Sequence, residues 1–267
     1  MNHCSDARGR AYDQGVSEQS SEQQSIIPAL DSSARRIAEV TGERVSRLAQ
    51  IHEIIAEELP WLARQLSADR EHGRFAEWAL STVVDENTNE SVISRELFKV
   101  LHELAGLEAH WPIGNAGLLH CYGYLLSTAS TPYGLKRERW ITTELATACG
   151  LQPFAFSPWA GNESLLSRVA SVIVPLLADP PVDALAVHTA TVIPDAAGQT
   201  CTTRTVVVQR QGAAALAYGL VVERAGRRTV RPVTVFPVSA SPGWLAELAA
   251  DTTRLRFNAV GVLDVNR

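Results

Sequence analysis

The run Asp179-Pro180-Pro181-Val182-Asp183-Ala184-Leu185-Ala186-Val187-His188-Thr189-Ala190-Thr191-Val192 decides the fold, because the hydrophobic period changes across it. On its amino-terminal side apolar residues recur every three or four positions, and on its carboxy-terminal side they alternate and are rich in Val and Thr. Neither Pro180 nor Pro181 can donate a helical hydrogen bond, so the helical pattern stops here.

Beyond the break, residues 182–193, 200–209, 216–223, 229–238 and 254–265 are predicted strands. Asp195-Ala196-Ala197-Gly198, Gln211-Gly212 and Ala225-Gly226 punctuate them, which makes an antiparallel meander. Ser241-Pro242-Gly243-Trp244-Leu245 opens a short helix, since Pro is accommodated in the first turn.

Before the break, Val45, Leu48, Ile51, Ile55 and Leu59 mark one helix, and Pro60 kinks it or begins the next, which carries Trp61, Leu62 and Leu66. Asn89 is the expected cap of a helix lined by Ile93, Leu97, Val100, Leu101 and Leu104, with Gly106 just past its end. Leu118, Leu119, Tyr122 and Leu125 predict a further helix, and Asn162 is the expected cap of one through Leu166, Val169 and Ile173. The expected class is α+β: residues 1–31 a polar, disordered tail, 32–181 mainly helical, and 182–267 an antiparallel sheet with one short helix.

With 267 residues, 46% of them hydrophobic, the chain can bury a core without disulfide or metal staples. A net charge of −5 gives no footprint for nucleic acid or an anionic membrane. Arginine supplies 22 of the 24 basic residues; Lys99 and Lys136 are the lysines. Cys4, Cys121, Cys149 and Cys201 form no C-x-x-C pair, and no basic start leads into an apolar run as in a signal peptide. A cytoplasmic protein is expected, with a small-molecule substrate and neither nucleic acid nor membrane as partner. Association into a homo-oligomer through a sheet edge is left open.

Reactive side chains are densest between Glu108 and Trp140. If 117–128 is helical, His120, Tyr124 and Ser127 share a face apart from the leucine stripe, as on a helix that lines a pocket. His120 or His110 is the candidate general base, because imidazole needs little tuning near neutral pH. Tyr122, Tyr124 or Tyr133 could donate a proton, Arg137 and Arg139 with Lys136 could hold a carboxylate, and Trp111 could wall the site.

Glu108, His110 and His120 also offer a carboxylate and two imidazoles, the donor set of a metal-dependent oxygenase or hydrolase. No nucleotide-binding glycine pattern occurs, and neither lysine stands in a context that marks a Schiff-base or pyridoxal phosphate site. The reading is therefore a cofactor-independent enzyme of acid/base chemistry, a lyase, deaminase or isomerase acting on a small carboxylate-bearing metabolite. The metal enzyme and a non-catalytic ligand-binding or protein-interaction module are the alternatives.

Overall fold

A computed structural model describes residues 26–131, 134–192, 200–224 and 226–250. The helical part opens with α1 (residues 26–38), α2 (Arg44–Glu58), α3 (Pro60–Glu71) and α4 (Arg95–Ala105). Pro60 starts a new helix rather than kinking an old one, because Leu59 leaves helical geometry at φ −124° and ψ 50°. Residues 26–31, expected as part of the tail, belong to α1, and residues 1–25 lie outside the described residues. Leu30, Ala34 and Ile37 form a buried stripe that holds α1 on the body, and the Ser33 hydroxyl donates to Glu58 at 2.8 Å.

Two expected caps are replaced by serines. Asn89 lies at φ +55° in a turn where Asp85 Oδ1 accepts from the N–H groups of Asn87 and Thr88. Ser94 Oγ instead caps α4 from the Leu97 N–H at 3.1 Å, and Gly106, at φ +66°, ends the helix as expected. Ser164 rather than Asn162 caps α7 (Leu165–Ala178).

Two short ribbons lie within the helical half. β1 (Leu80–Thr82) pairs antiparallel with β2 (Ile113–Asn115), and β3 (Ser130–Thr131) pairs with β4 (Gly134–Leu135). The helices α5 (Glu138–Ile141) and α6 (Glu144–Ala148) follow. The sheet itself is the expected meander of β5 (Ala186–Val192), β6 (Thr200–Arg210), β7 (Ala213–Arg224) and β8 (Arg227–Val238), in the order β5-β6-β7-β8. Gln211 and Gly212, both with positive φ, make the two-residue turn that suits its twist. The expected strand at 254–265 lies outside the described residues.

Both faces of the sheet are buried at its centre. Val206 and Ala217 lie on one face and Val207 and Leu216 on the other, all within 1% exposure. Helix α7 approaches so closely that a Cβ on Gly219 would stand 2.6 Å from Leu177 Cδ1. Arg204 Nη1 donates to the carbonyls of Leu177 and Ala178, satisfying the end of that helix. The helical half in turn reaches the far edge of the sheet, where the Ala79 N–H donates to Pro232 O at 3.0 Å.

Asp69 of α3 joins these layers. Fully buried, it accepts from Tyr122 Oη at 2.5 Å, Ser164 Oγ at 2.5 Å and Arg74 Nη1 at 3.1 Å. Asp69→Ala would remove the acceptor these donors share, leaving Tyr122 only Gln65 Oε1 at 3.4 Å and Arg74 only Ser164 Oγ at 3.2 Å, and should lower unfolding stability in urea by about 3 kcal/mol. Asp69→Asn, which keeps an oxygen acceptor, should lose less, and wild-type stability in the alanine variant would show that the network holds nothing together.

Candidate functional site

The predicted helix over 117–128 is irregular. Leu118–Tyr122 form a wide π-type turn, which tightens into a 3₁₀ turn over Gly123–Leu126. Such wide turns re-aim side chains. Here Tyr122 points into the core toward Asp69, while His120 and Tyr124 face a cavity and meet edge to face, with ring centroids 4.6 Å apart. Ser127, expected beside them, instead donates to Val92 O at 2.5 Å.

The cavity measures about 880 Å³ and lies between the helical half and the sheet. Its walls come from Thr82 of β1, the turn at Asp85, the segment 134–144, the β6–β7 turn, the end of β8 and Trp244 of α8 (Pro242–Ala250). His120 Nε2 stands 2.9 Å from Ser81 Oγ, and its Nδ1 stands 3.3 Å from Thr234 Oγ1. Burial, with the charges of Arg139 and Lys136 added, holds this imidazole well below its ordinary value, so it is neutral at pH 7. Burial also pushes the Tyr124 phenol up to about 12, which keeps its proton on.

Arg139 is 8% exposed. Its Nη1 donates to Thr234 Oγ1 and Val235 O, both at 3.2 Å, and its guanidinium carbon lies 5.4 Å from the Tyr124 ring centroid and 5.7 Å from that of Phe236. No carboxylate among the described residues forms an ion pair with it. Lys136, by contrast, is paired with Asp85. Burial alone would raise the Asp85 carboxyl, but Lys136 and the backbone N–H groups of Asn87 and Thr88 bring it below its usual value.

The remaining candidates fall elsewhere. Arg137 is buried away from the cavity lining, with Nη2 donating to Ser127 O at 2.9 Å and Nη1 paired with Asp31 of α1 at 3.1 Å. His110 and Glu108 are exposed, and Trp111 packs edge-on against Phe98. Tyr133 lies outside the described residues. Glu108, His110 and His120 do not form one ligand set, and among the described residues no three His, Cys, Asp or Glu side chains converge as a metal site would require. Cys121 is fully buried and its thiol is pushed well up, chiefly by burial, so it serves as core.

Asp85, Thr82 and Thr234 were not among the expected site residues. The polar run Asp85-Glu86-Asn87-Thr88-Asn89 signals a turn, but nothing local brings it to Lys136 and the cavity wall. Comparison with protein-family models, with curated proteins and with solved structures returned no match. No helix among the described residues is long and apolar enough to cross a membrane.

The sign of one pH effect follows from this geometry. Folding keeps His120 neutral, whereas the unfolded chain takes up that proton near pH 6.5. Below 6.5 the unfolded state binds more protons, so stability falls as pH drops through the window down to the lowered folded value. Taken from about pH 7 to about pH 5, His120→Gln should therefore lose less of its thermal midpoint than wild type. An equal loss in the two proteins would show that His120 is not held neutral by the fold.

Proposed function

We propose that the protein is a small-molecule enzyme of acid/base chemistry, a lyase, deaminase or isomerase, acting in the cytoplasm on a small carboxylate-bearing metabolite. The observation that carries this reading is Arg139. A desolvated guanidinium on the wall of a cavity, without a protein carboxylate among the described residues, is suited to a ligand carboxylate held by charge-assisted hydrogen bonds. Such bonds strengthen where aromatic rings exclude water, as Tyr124 and Phe236 do here.

In this reading His120 is the base. Being neutral, its imidazole carries one lone pair, which takes a substrate proton once Ser81 Oγ or Thr234 Oγ1 yields its place on the ring, and a bound anion would partly offset the repulsion from Arg139 and Lys136 that opposes its protonation. Tyr124, protonated across the physiological range, is the hydrogen-bond donor to developing negative charge, its hydroxyl turning from the Thr82 carbonyl 3.5 Å away. Phe236 and Trp244 supply apolar wall. The free cysteines Cys121, Cys149 and Cys201 fit a reducing compartment.

A thermal-shift panel of small 2-hydroxy, 2-oxo and dicarboxylic acids, followed by turnover assays on those that bind, tests the reading. Arg139→Gln should weaken binding roughly 10–100-fold, the worth of hydrogen bonds between charged partners. His120→Gln should bind within a few-fold of wild type yet turn over about 100-fold to 10,000-fold more slowly. Carboxylates that bind both Arg139 forms equally would remove the anchor; binding with no turnover by the wild type would leave a non-catalytic binding module.

A further inference from the structure

Lys136, set beside Arg137 and Arg139 in the sequence as a cation for a carboxylate, is a cavity group to which the acid/base reading gives no catalytic role. Its side chain is 18% exposed, its Nζ is paired with Asp85, and it lies 5.9 Å from the centroid of the same Tyr124 ring that Arg139 approaches at 5.4 Å. Both cations line the cavity together with His120. Arginine supplies 22 of the 24 basic residues of this chain, and the other lysine, Lys99, is an exposed partner of Glu103 on α4. An arginine at 136 would pair with Asp85 at least as well, through two hydrogen bonds instead of one point charge. What a lysine offers beyond that is an amine able to give up its proton and bond to carbon.

We propose that Lys136 is a covalent nucleophile that forms an imine with its substrate, which makes the substrate a small oxo acid whose carboxylate sits on Arg139. The assignment rests on the carboxylate-anchor reading and names the substrate class of that site. The step balances without a further reactant: ammonium and carbonyl compound give the protonated imine and one water, two of the three ammonium hydrogens leaving with the carbonyl oxygen. The amine lone pair forms the C–N single bond as the carbonyl π pair moves to oxygen, and the pair left when a second N–H proton is lost then forms the C=N double bond as water departs with the remaining C–O pair. The positive charge remains on the same nitrogen, so Asp85 serves as counter-ion before and after.

The iminium then acts as an electron sink. When His120 accepts a proton from the adjacent carbon, the C–H pair becomes the enamine double bond and quenches the iminium charge. Reprotonation or loss of a group from the enamine gives isomerase or lyase chemistry, and water returns the free amine. Burial, aided by Arg139, holds Lys136 below the ordinary lysine value despite Asp85, which eases formation of the neutral amine.

The test is reductive trapping of the full-length chain with pyruvate and cyanoborohydride, followed by mass spectrometry of the two lysine peptides. Lys99 is the internal control for surface reaction. The Lys136 peptide should carry the reduced pyruvate adduct, saturably and at least ten times more than Lys99, and Lys136→Arg should abolish it while keeping the charge opposite Asp85. Lys136→Met provides a second variant, and circular dichroism confirms that each is folded.

Equal labelling of both lysines, or labelling of neither, overturns the proposal. Thermal shifts separate its failure from that of the broader reading. If 2-oxo and 2-hydroxy acids both stabilise wild type but not Arg139→Gln, and nothing is trapped, the imine falls while the acid/base site stands. If Lys136 is trapped equally in Arg139→Gln, the nucleophile stands and the anchor falls; if no carboxylate binds and nothing is trapped, both fall.

Discussion

A buried carboxylate with three donors organises this molecule. Asp69 has no access to water, so its charge is tolerable only while Tyr122, Ser164 and Arg74 all reach it. Each donor comes from a different part of the chain: the wide turn at 118–122, the start of α7 and the turn after α3. Gln65, one turn earlier on α3, adds the Leu165 N–H and Pro158 O to the same junction. Satisfying one carboxylate therefore sets the entry of α7, and α7 lies in contact with the sheet at Gly219. It also fixes the turn that carries His120 and Tyr124, since Tyr122 stands between them and is held in the core.

The cavity that results is electrostatically incomplete. Arg139 and Lys136 bring two cations to it, and Asp85 answers only the second. Aromatic faces and the oxygens of Thr234 and Val235 make Arg139 tolerable, but they carry no net charge. This unbalanced field, on top of burial, keeps His120 neutral. Glu86, Glu138 and Glu144 also line the cavity but are exposed, so water screens them. The interior of the site thus holds one buried cation with no carboxylate partner among the described residues, while the acidic side chains without a buried cation partner sit at its exposed rim.

The division into helices and a meander was legible because it rests on local signals: the period change at Pro180-Pro181, the positive-φ turn at Gln211-Gly212 and the stop at Gly106. The errors at helix starts, by contrast, have a non-local cause. Asn and Ser cap equally well, and which one does so depends on a partner distant in sequence, as when Ser164 meets Asp69. Of the site, the pair His120 and Tyr124 was visible as a four-residue spacing, and Arg139 as a cation nearby. Asp85 and Thr234 were not, because Asp85 reaches the site through Lys136, far along the chain, and Thr234 meets His120 across 114 positions. The metal reading failed for the same reason: closeness in sequence put Glu108 and His110 in one list with His120, whereas the β2 ribbon leaves the first two in solvent.

The four charged residues Lys136-Arg137-Glu138-Arg139 show how strongly tertiary partners override a local pattern. Read alone they are the solvated start of a helix. In the fold Lys136 turns to Asp85, Arg137 to Asp31 on α1, Glu138 accepts from the Leu135 N–H at 3.1 Å, and Arg139 reaches the oxygens of β8. Three of the four thus tie together the site turn, the first helix and the sheet through long-range polar contacts, within one turn of backbone. Such a segment cannot be solvated as a unit, because α5 is only four residues long and presents no single polar face. The two cations that face the cavity are separated by Arg137, which faces away, so a change at Asp31 would act on Arg137 and α1 without touching the charges at the site. Structural and functional charge are in this way interleaved along the chain, residue by residue, instead of being assigned to different elements.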